Sequence, residues 1–224
     1  MALPAREMKM QPTNGATGMP SDDNLSAFLA RDRAYLRLGH DRMGAARFVA
    51  DALPPNLGTV LDVGTGKGIF AIALAQRGLS VVTVDLDNRD LFLARALANE
   101  ARVDERITFV TRDAAATGFA DGKFDGAVMM DVLHHLEEPA LVLHEMVRVV
   151  RTTGWLLIAD FDDEGFDLVA RLHHGEGQEH PRTSTTLALA EEILAREGWH
   201  CKTRMNAFLH DVVVKGDLDD NEVK

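Results

Sequence analysis

The chain is poor in cysteine, in positive charge and in long apolar runs, and each shortage removes a class of protein. A single cysteine among 224 residues, Cys201, rules out an internal disulfide, and its place in a run that reads as a strand predicts a buried, inert thiol. No stretch of about 18 consecutive apolar residues exists to cross a bilayer as a helix. Residues Met1 to Pro20, broken by proline, glycine and polar side chains, also lack the uninterrupted apolar segment of a secretory signal. These absences predict a soluble, cytoplasmic protein with no membrane partner. Lysine and arginine total 24 against 35 aspartate and glutamate, a formal net charge of −11. That balance opposes the counterion release on which generic nucleic-acid binders depend, so nucleic acid is not an expected partner. The basic residues that are present gather early, at Arg31, Arg33, Arg37, Arg42 and Arg47, where apolar residues at helical spacing predict an exposed amphipathic face rather than an anion site.

The length suits one large α/β domain. Residues 1–23 read as a flexible leader, 24–216 as the domain with an N-terminal helical cap over 24–53, and 217–224 as a solvated acidic tail. Within the cap, helices fall near 24–38 and 41–53, the second stopped by Pro54-Pro55. Strands are expected near 59–63, 80–85, 106–111, 124–130 and 155–160, separated by helices near 67–77, 88–101 and 138–151. The last of these helices should have Pro139 at its first turn and bury Leu141, Val142, Met146, Val149 and Val150, with Gly154 following its basic end at Arg148 and Arg151. Thr185 or Thr186 caps a further helix closed by Gly198. Trp199 to Met205 and Ala207 to Lys215 then form two strands too close in sequence to be other than antiparallel. The expected fold is a doubly wound α/β domain with a seven-stranded, mostly parallel sheet and a reversed last strand.

Against this background one stretch carries chemistry. Thr59-Val60-Leu61-Asp62-Val63 is a β-branched, apolar run that ends in the glycine-dense turn Gly64-Thr65-Gly66-Lys67-Gly68. A second such run, Val81-Val82-Thr83-Val84, ends in Asp85, nineteen residues beyond Gly66. An α/β sheet presents a nucleoside cofactor in this way: glycines allow a sharp turn and close backbone approach, and the acidic residue about 20 positions on accepts hydrogen bonds from ribose hydroxyls. A dinucleotide fingerprint wants its third small residue one position later, where this chain has Ile69.

The turn instead resembles motif I of the class I S-adenosylmethionine-dependent methyltransferases that act on small molecules. Asp113 and Ala114, after the third strand, match the family's adenine-side position, and Phe124 to Pro139 is similar to its fourth strand and exit loop. The resemblance covers about residues 45–160. It implies S-adenosyl-L-methionine as cofactor, held by Asp62, Gly64, Thr65, Gly66, Gly68, Asp85, Leu86, Asp113, Ala114 and Asp131, with S-adenosyl-L-homocysteine as product. It also implies a fold with a reversed seventh strand, and an SN2 transfer of the sulfonium methyl to a small-molecule acceptor, in which the protein mainly aligns the reactants and excludes water.

Catalytic candidates gather at the strand-four exit, where Asp131 is the polar residue the family places there and His134 and His135 follow. Each histidine is either satisfied by loop backbone or a base near the sulfonium; adjacent residues point apart, so at most one should face the site. His210, in the final strand, is either an ordinary strand residue or projects toward the same pocket. His173, His174, Glu176, Glu179 and His180 match no zinc spacing, so no metal is expected, and the stretch reads as a lid or acceptor loop. Two other readings stand beside the first. One is a nicotinamide-dependent oxidoreductase on a related fold, which Ile69 and the terminal hairpin disfavour; the other is a binding protein that keeps the cofactor pocket without turnover. Either a monomer or a homodimer accommodates all three.

Overall fold

Apolar residues on both faces of the central strands dictate the architecture. The computed structural model describes residues 22–175, 185–207 and 210–216. In it β1 (Thr59–Val63), β2 (Ser80–Asp85), β3 (Ile107–Thr111), β4 (Phe124–Met130) and β5 (Val150–Phe161) pair in parallel. β6 (Cys201–Ala207) and β7 (His210–Gly216) follow, with β7 inserted between β5 and β6 and antiparallel to both. The strand order is β3-β2-β1-β4-β5-β7-β6. Along the inner strands successive side chains alternate between two cores. Val60, Val128, Leu157 and Ala159 face one, and Leu61, Val63, Ala127, Met129, Leu156 and Ile158 face the other. A strand buried on both faces needs helices on both sides, which is the doubly wound arrangement.

Among the described residues seven α-helices supply those layers. α1 (Asp22–Arg37) and α2 (Arg42–Asp51) precede the sheet, and α3 (Ile69–Gln76), α4 (Asn88–Glu100) and α5 (Pro139–Val149) cross between its parallel strands. α6 (Asp163–Gly175) and α7 (Leu187–Arg196) follow β5. α3 is apolar all round, Phe70 through Ala75 being buried, because it lies between the sheet and α2. α5 and α7 cover the opposite face. Tyr35 of α1 packs with Leu168 and Val169 of α6 in a third, smaller cluster over the strand tips. Among the described residues no helix is long and apolar enough to cross a membrane.

Several expectations change in detail. α3 begins at Ile69, two residues after Lys67, because Gly68 at its N-cap is left-handed (φ 82°) and outside the helix. α5 ends at Val149 rather than near 151, since Val150 is already extended and Arg151 to Gly154 belong to β5. Gly154 serves close packing there: a Cβ on it would lie 2.4 Å from Val150 Cγ1 and 2.8 Å from the Asp125 carbonyl oxygen. Leu141 is half exposed, and Leu143 takes its expected place in the core. The leader and the acidic tail lie outside the described residues, apart from Asp22 and Asp23 at the start of α1, and the Cys201 side chain lies outside them too.

The strand order switches sides between β1 and β4, which stay parallel, and this opens a crevice at their C-terminal ends. Two glycines show how tightly the helices close on it. A Cβ on Gly68 would stand 2.8 Å from the Ala94 Cβ of α4, whereas Gly78, equally left-handed at φ 96°, faces open space. Gly78→Ala should therefore cost only the left-handed backbone, about 1–2 kcal/mol. Gly68→Ala should cost that together with about 1–3 kcal/mol of overpacking against α4. Urea denaturation of the two variants measures the difference, and equal midpoints would contradict the packing role of Gly68.

Candidate functional site

The glycine turn is fixed from below by a buried chain of side chains. Asp62, 1% exposed, accepts a hydrogen bond from the Thr83 hydroxyl at 2.6 Å. Thr83 has one proton to give, so Thr65 donates in turn to Thr83. Backbone amides complete the anchoring: Gly64 and Thr65 both donate to the Val84 carbonyl, at 2.9 and 3.1 Å. Burial pushes the Asp62 carboxyl up to about 7; the Thr83 hydroxyl opposes this and the Asp85 charge adds to it. At the tip of β2, Asp85 Oδ2 accepts from the Gly66 amide at 2.8 Å and Oδ1 from the Asp87 amide at 2.9 Å. Each oxygen keeps a further lone pair for a ligand hydroxyl.

The three glycines of the turn do different things. Gly64 (φ 83°) and Gly68 are required by packing, a Cβ on the first lying 2.3 Å from Val132. Gly66 (φ 47°) has nothing within 4 Å of where a Cβ would be, and it lines the cleft. Backbone is therefore bare at that point, which is what a closely held cofactor requires.

Across the cleft, Asp131 follows β4 in the left-handed region (φ 58°), a conformation aspartate tolerates better than most residues and one that recurs at functional sites. Its amide donates to the Ala159 carbonyl at 3.1 Å, and its Oδ1 accepts from His210 Nε2 at 2.8 Å. His210 is fully buried behind Asp131, neither facing solvent nor lining the cleft, and meets the cleft through that carboxylate. His134 is clamped by Asp160, which accepts from its backbone amide at 2.9 Å and from its Nδ1 at 2.6 Å. His134 and His135 do not point apart as extended neighbours would. Leu133–His135 forms a 3₁₀ turn, the two rings stand 4.0 Å apart, and both border the cleft.

The cleft has a volume of about 570 Å³. Gly64, Thr65, Gly66, Asp85, Leu86, Asp113, Ala114, Asp131, His134 and His135 line it, as the sequence leads one to expect of binding residues. Asp62 and Gly68 do not reach the wall and support it from beneath. Asp113 is exposed, its Oδ1 turned to the Ala115 amide at 2.8 Å. Of the histidine group after β5, the helix α6 carries the backbone of His173 and His174, with His174 exposed. Glu176, Glu179, His180 and the His173 side chain lie outside the described residues.

Sequence reasoning missed what the cap contributes. Arg31, Tyr35, His40 and Arg42 line the cleft, so two of the five early arginines are not part of a solvent face. His40 is 3% exposed, its ring edge-on to Tyr35 at 5.6 Å and stacked on His210 at 5.6 Å with 27° between planes. The signal was present in Gly39-His40-Asp41. A left-handed glycine (φ 86°) ends α1, an aspartate caps α2 through the Gly44 amide, and the residue between them is forced inward.

Comparison with known proteins agrees with this geometry. A methyltransferase-domain family model matches residues 61–158. The chain is 29% identical over 149 residues to a demethylmenaquinone methyltransferase of Clavibacter sepedonicus, a match covering 66% of this chain and 60% of that protein. It is 36% identical over 111 residues to a ubiquinone biosynthesis O-methyltransferase of Paracidovorax citrulli, covering 49% and 46% respectively. The chain thus spans about half the length of the curated relatives it matches. An S-adenosylmethionine-dependent methyltransferase structure from Aquifex aeolicus shares the fold, with a TM-score of 0.57 at 21% identity over 70% of this chain and 80% of that one. The bare glycine turn and the strand-tip carboxylate both lie within the stretch, residues 61–158, that is similar to the methyltransferase-domain family.

Proposed function

We propose that the protein transfers a methyl group from S-adenosylmethionine to a small-molecule acceptor in the cytoplasm. The observation that carries this reading is the bare backbone at Gly66, set between a cleft and the Asp85 carboxylate. A pyrophosphate would need the Gly66 amide that Asp85 already occupies, and it would face Asp85, Asp90 and Asp113 along one wall. Lys67, the nearest cation on the turn, is paired with Asp90. An adenosyl ligand without phosphates meets none of these obstacles, and the nicotinamide alternative is correspondingly disfavoured.

In this reading Asp85 holds the ribose hydroxyls, Leu86, Asp113 and Ala114 border the adenine, and Gly64, Thr65 and Gly66 accommodate the amino-acid end. Asp62 and Gly68 keep the turn in place, and Asp131, positioned by His210, stands on the acceptor side with His134 and His135. The bound cofactor supplies an electrophilic methyl on a sulfonium. The chain's own residues need mainly to align the acceptor and exclude water, which the cap over 24–53 does by roofing the cleft with Tyr35 and His40. A seven-stranded sheet with a reversed β7 fits the complete family fold. The relatives named for ubiquinone and demethylmenaquinone chemistry support a small organic acceptor. The acidic surface supports the absence of a nucleic-acid partner.

Calorimetry with S-adenosylhomocysteine tests the cofactor assignment. Wild type should bind, and Asp85→Ala should weaken binding about tenfold or more, the loss of at least one charge-assisted hydrogen bond. Unchanged affinity in a folded variant, or saturable NADH binding in place of S-adenosylhomocysteine, contradicts the reading. Asp62 adds a pH signature. Its carboxyl is raised from 3.8 to about 7, so its contribution to stability is complete below pH 3.8 and lost as pH rises through 7. Asp62→Asn should remove that slope from thermal unfolding measured between pH 5 and 8. Ionised Asp62 attracts a sulfonium, so wild-type affinity for S-adenosylmethionine should tighten as pH rises through about 7, while affinity for S-adenosylhomocysteine, whose thioether sulfur is neutral, stays flatter. Parallel curves for the two ligands would rule out the electrostatic role.

A further inference from the structure

Resting on the methyl-transfer reading, we propose that His40 is the general base that takes the proton from a hydroxylated aromatic acceptor seated against the rings of Tyr35, Phe161 and His135. The acceptor end of the cleft is walled by flat groups. Tyr35 meets His40 edge-on at 5.6 Å, His40 meets Phe161 at 6.4 Å, and Phe161 stands 5.9 Å from His134. Such a chamber favours a planar guest through edge and offset ring contacts.

Among the imidazoles, position selects His40. His134 is committed to Asp160 through its Nδ1 and its backbone, and His210 is fully buried behind Asp131. His135 is exposed on its 3₁₀ turn, where water competes for the proton. His40 lines the cleft while being 3% exposed, and its backbone is fixed by donation to the Tyr35 carbonyl at 3.0 Å. The groups facing it are His210 from β7, Asp131 after β4, and Arg42 and Asp41 at the start of α2. Burial, then His210 and Arg42, lower its pKa from 6.5, while Asp131 and Asp41 oppose. The ring is thus neutral at pH 7 with a lone pair to offer. The imidazolium formed on proton transfer gains the nearby Asp131 charge.

The step balances as follows in atoms and electrons. The acceptor oxygen forms the new O–C bond and the methyl–sulfur bond breaks with its electron pair on sulfur. The hydroxyl proton passes to His40 and then to water after product leaves. A phenolic hydroxyl is acidic enough for an imidazole to assist, whereas a thiol that ionises readily needs no such help.

The test gives wild type, His40→Gln and His40→Phe two probes, catechol and thiophenol, with S-adenosylmethionine. The phenylalanine variant retains ring packing against Tyr35 and His210. Expected is a fall of about 100-fold or more in kcat on catechol with little change in KM, and thiophenol turnover changed less than about threefold. Wild-type kcat/KM on catechol should drop below pH 6.5, the variants should lose that acid limb, and the His40 ring proton should titrate by NMR with the same midpoint. S-adenosylhomocysteine affinity should match in all three proteins. A wild type that binds S-adenosylhomocysteine but methylates no catechol overturns the proposal alone. So do variants that retain catechol turnover or lose both probes equally. Failure of wild type to bind S-adenosylhomocysteine overturns the methyl-transfer reading itself.

Discussion

The buried carboxyl of Asp62 is the constraint on which the cleft depends. A carboxylate placed among apolar strands without partners costs several kcal/mol, and here a threonine hydroxyl and a partly retained proton reduce that cost. The same hydroxyl receives Thr65, so the cost of burial is converted into a fixed position for the turn. From that position follow the two amides on the Val84 carbonyl, the Gly66 amide on Asp85, and the contact of Gly68 with α4. Through Asp62 and Thr83 the turn is tied to the two strands beneath it.

The two ends of the cleft are built by different physics. At the glycine-turn end, backbone in left-handed conformations lies close to the open cleft, and side chains serve mainly to hold it. At the cap end, rings pack against rings, and the left-handed geometry of Asp131 turns its carboxylate to His210. His210 comes from a strand late in the chain and His40 from the turn before α2, yet the two rings stack. β7, inserted beside β5, is what brings them together: its register sets His210 opposite Phe161.

The glycine-turn end was legible in the sequence because it is local. Glycine spacing, the apolar runs of β1 and β2 and the distance to Asp85 all act within a few dozen residues, and each has a backbone reason. The cap end was not, because its contacts join α1, β4, β5 and β7. No periodicity links Tyr35 to Leu168, or His40 to His210. Local rules also failed where two of them competed. Gly154 fits a helix stop, but the close approach of β5 to Asp125 claimed it first. His134 and His135 were expected to diverge as strand neighbours do, and a 3₁₀ turn put both rings on one side.

α1 and α2 precede β1, and the matched domain begins only at Leu61. The residues that would meet the acceptor from above are therefore encoded upstream of every residue that would grip the donor. Exchanging that N-terminal block alone would therefore leave every donor-side residue as it stands.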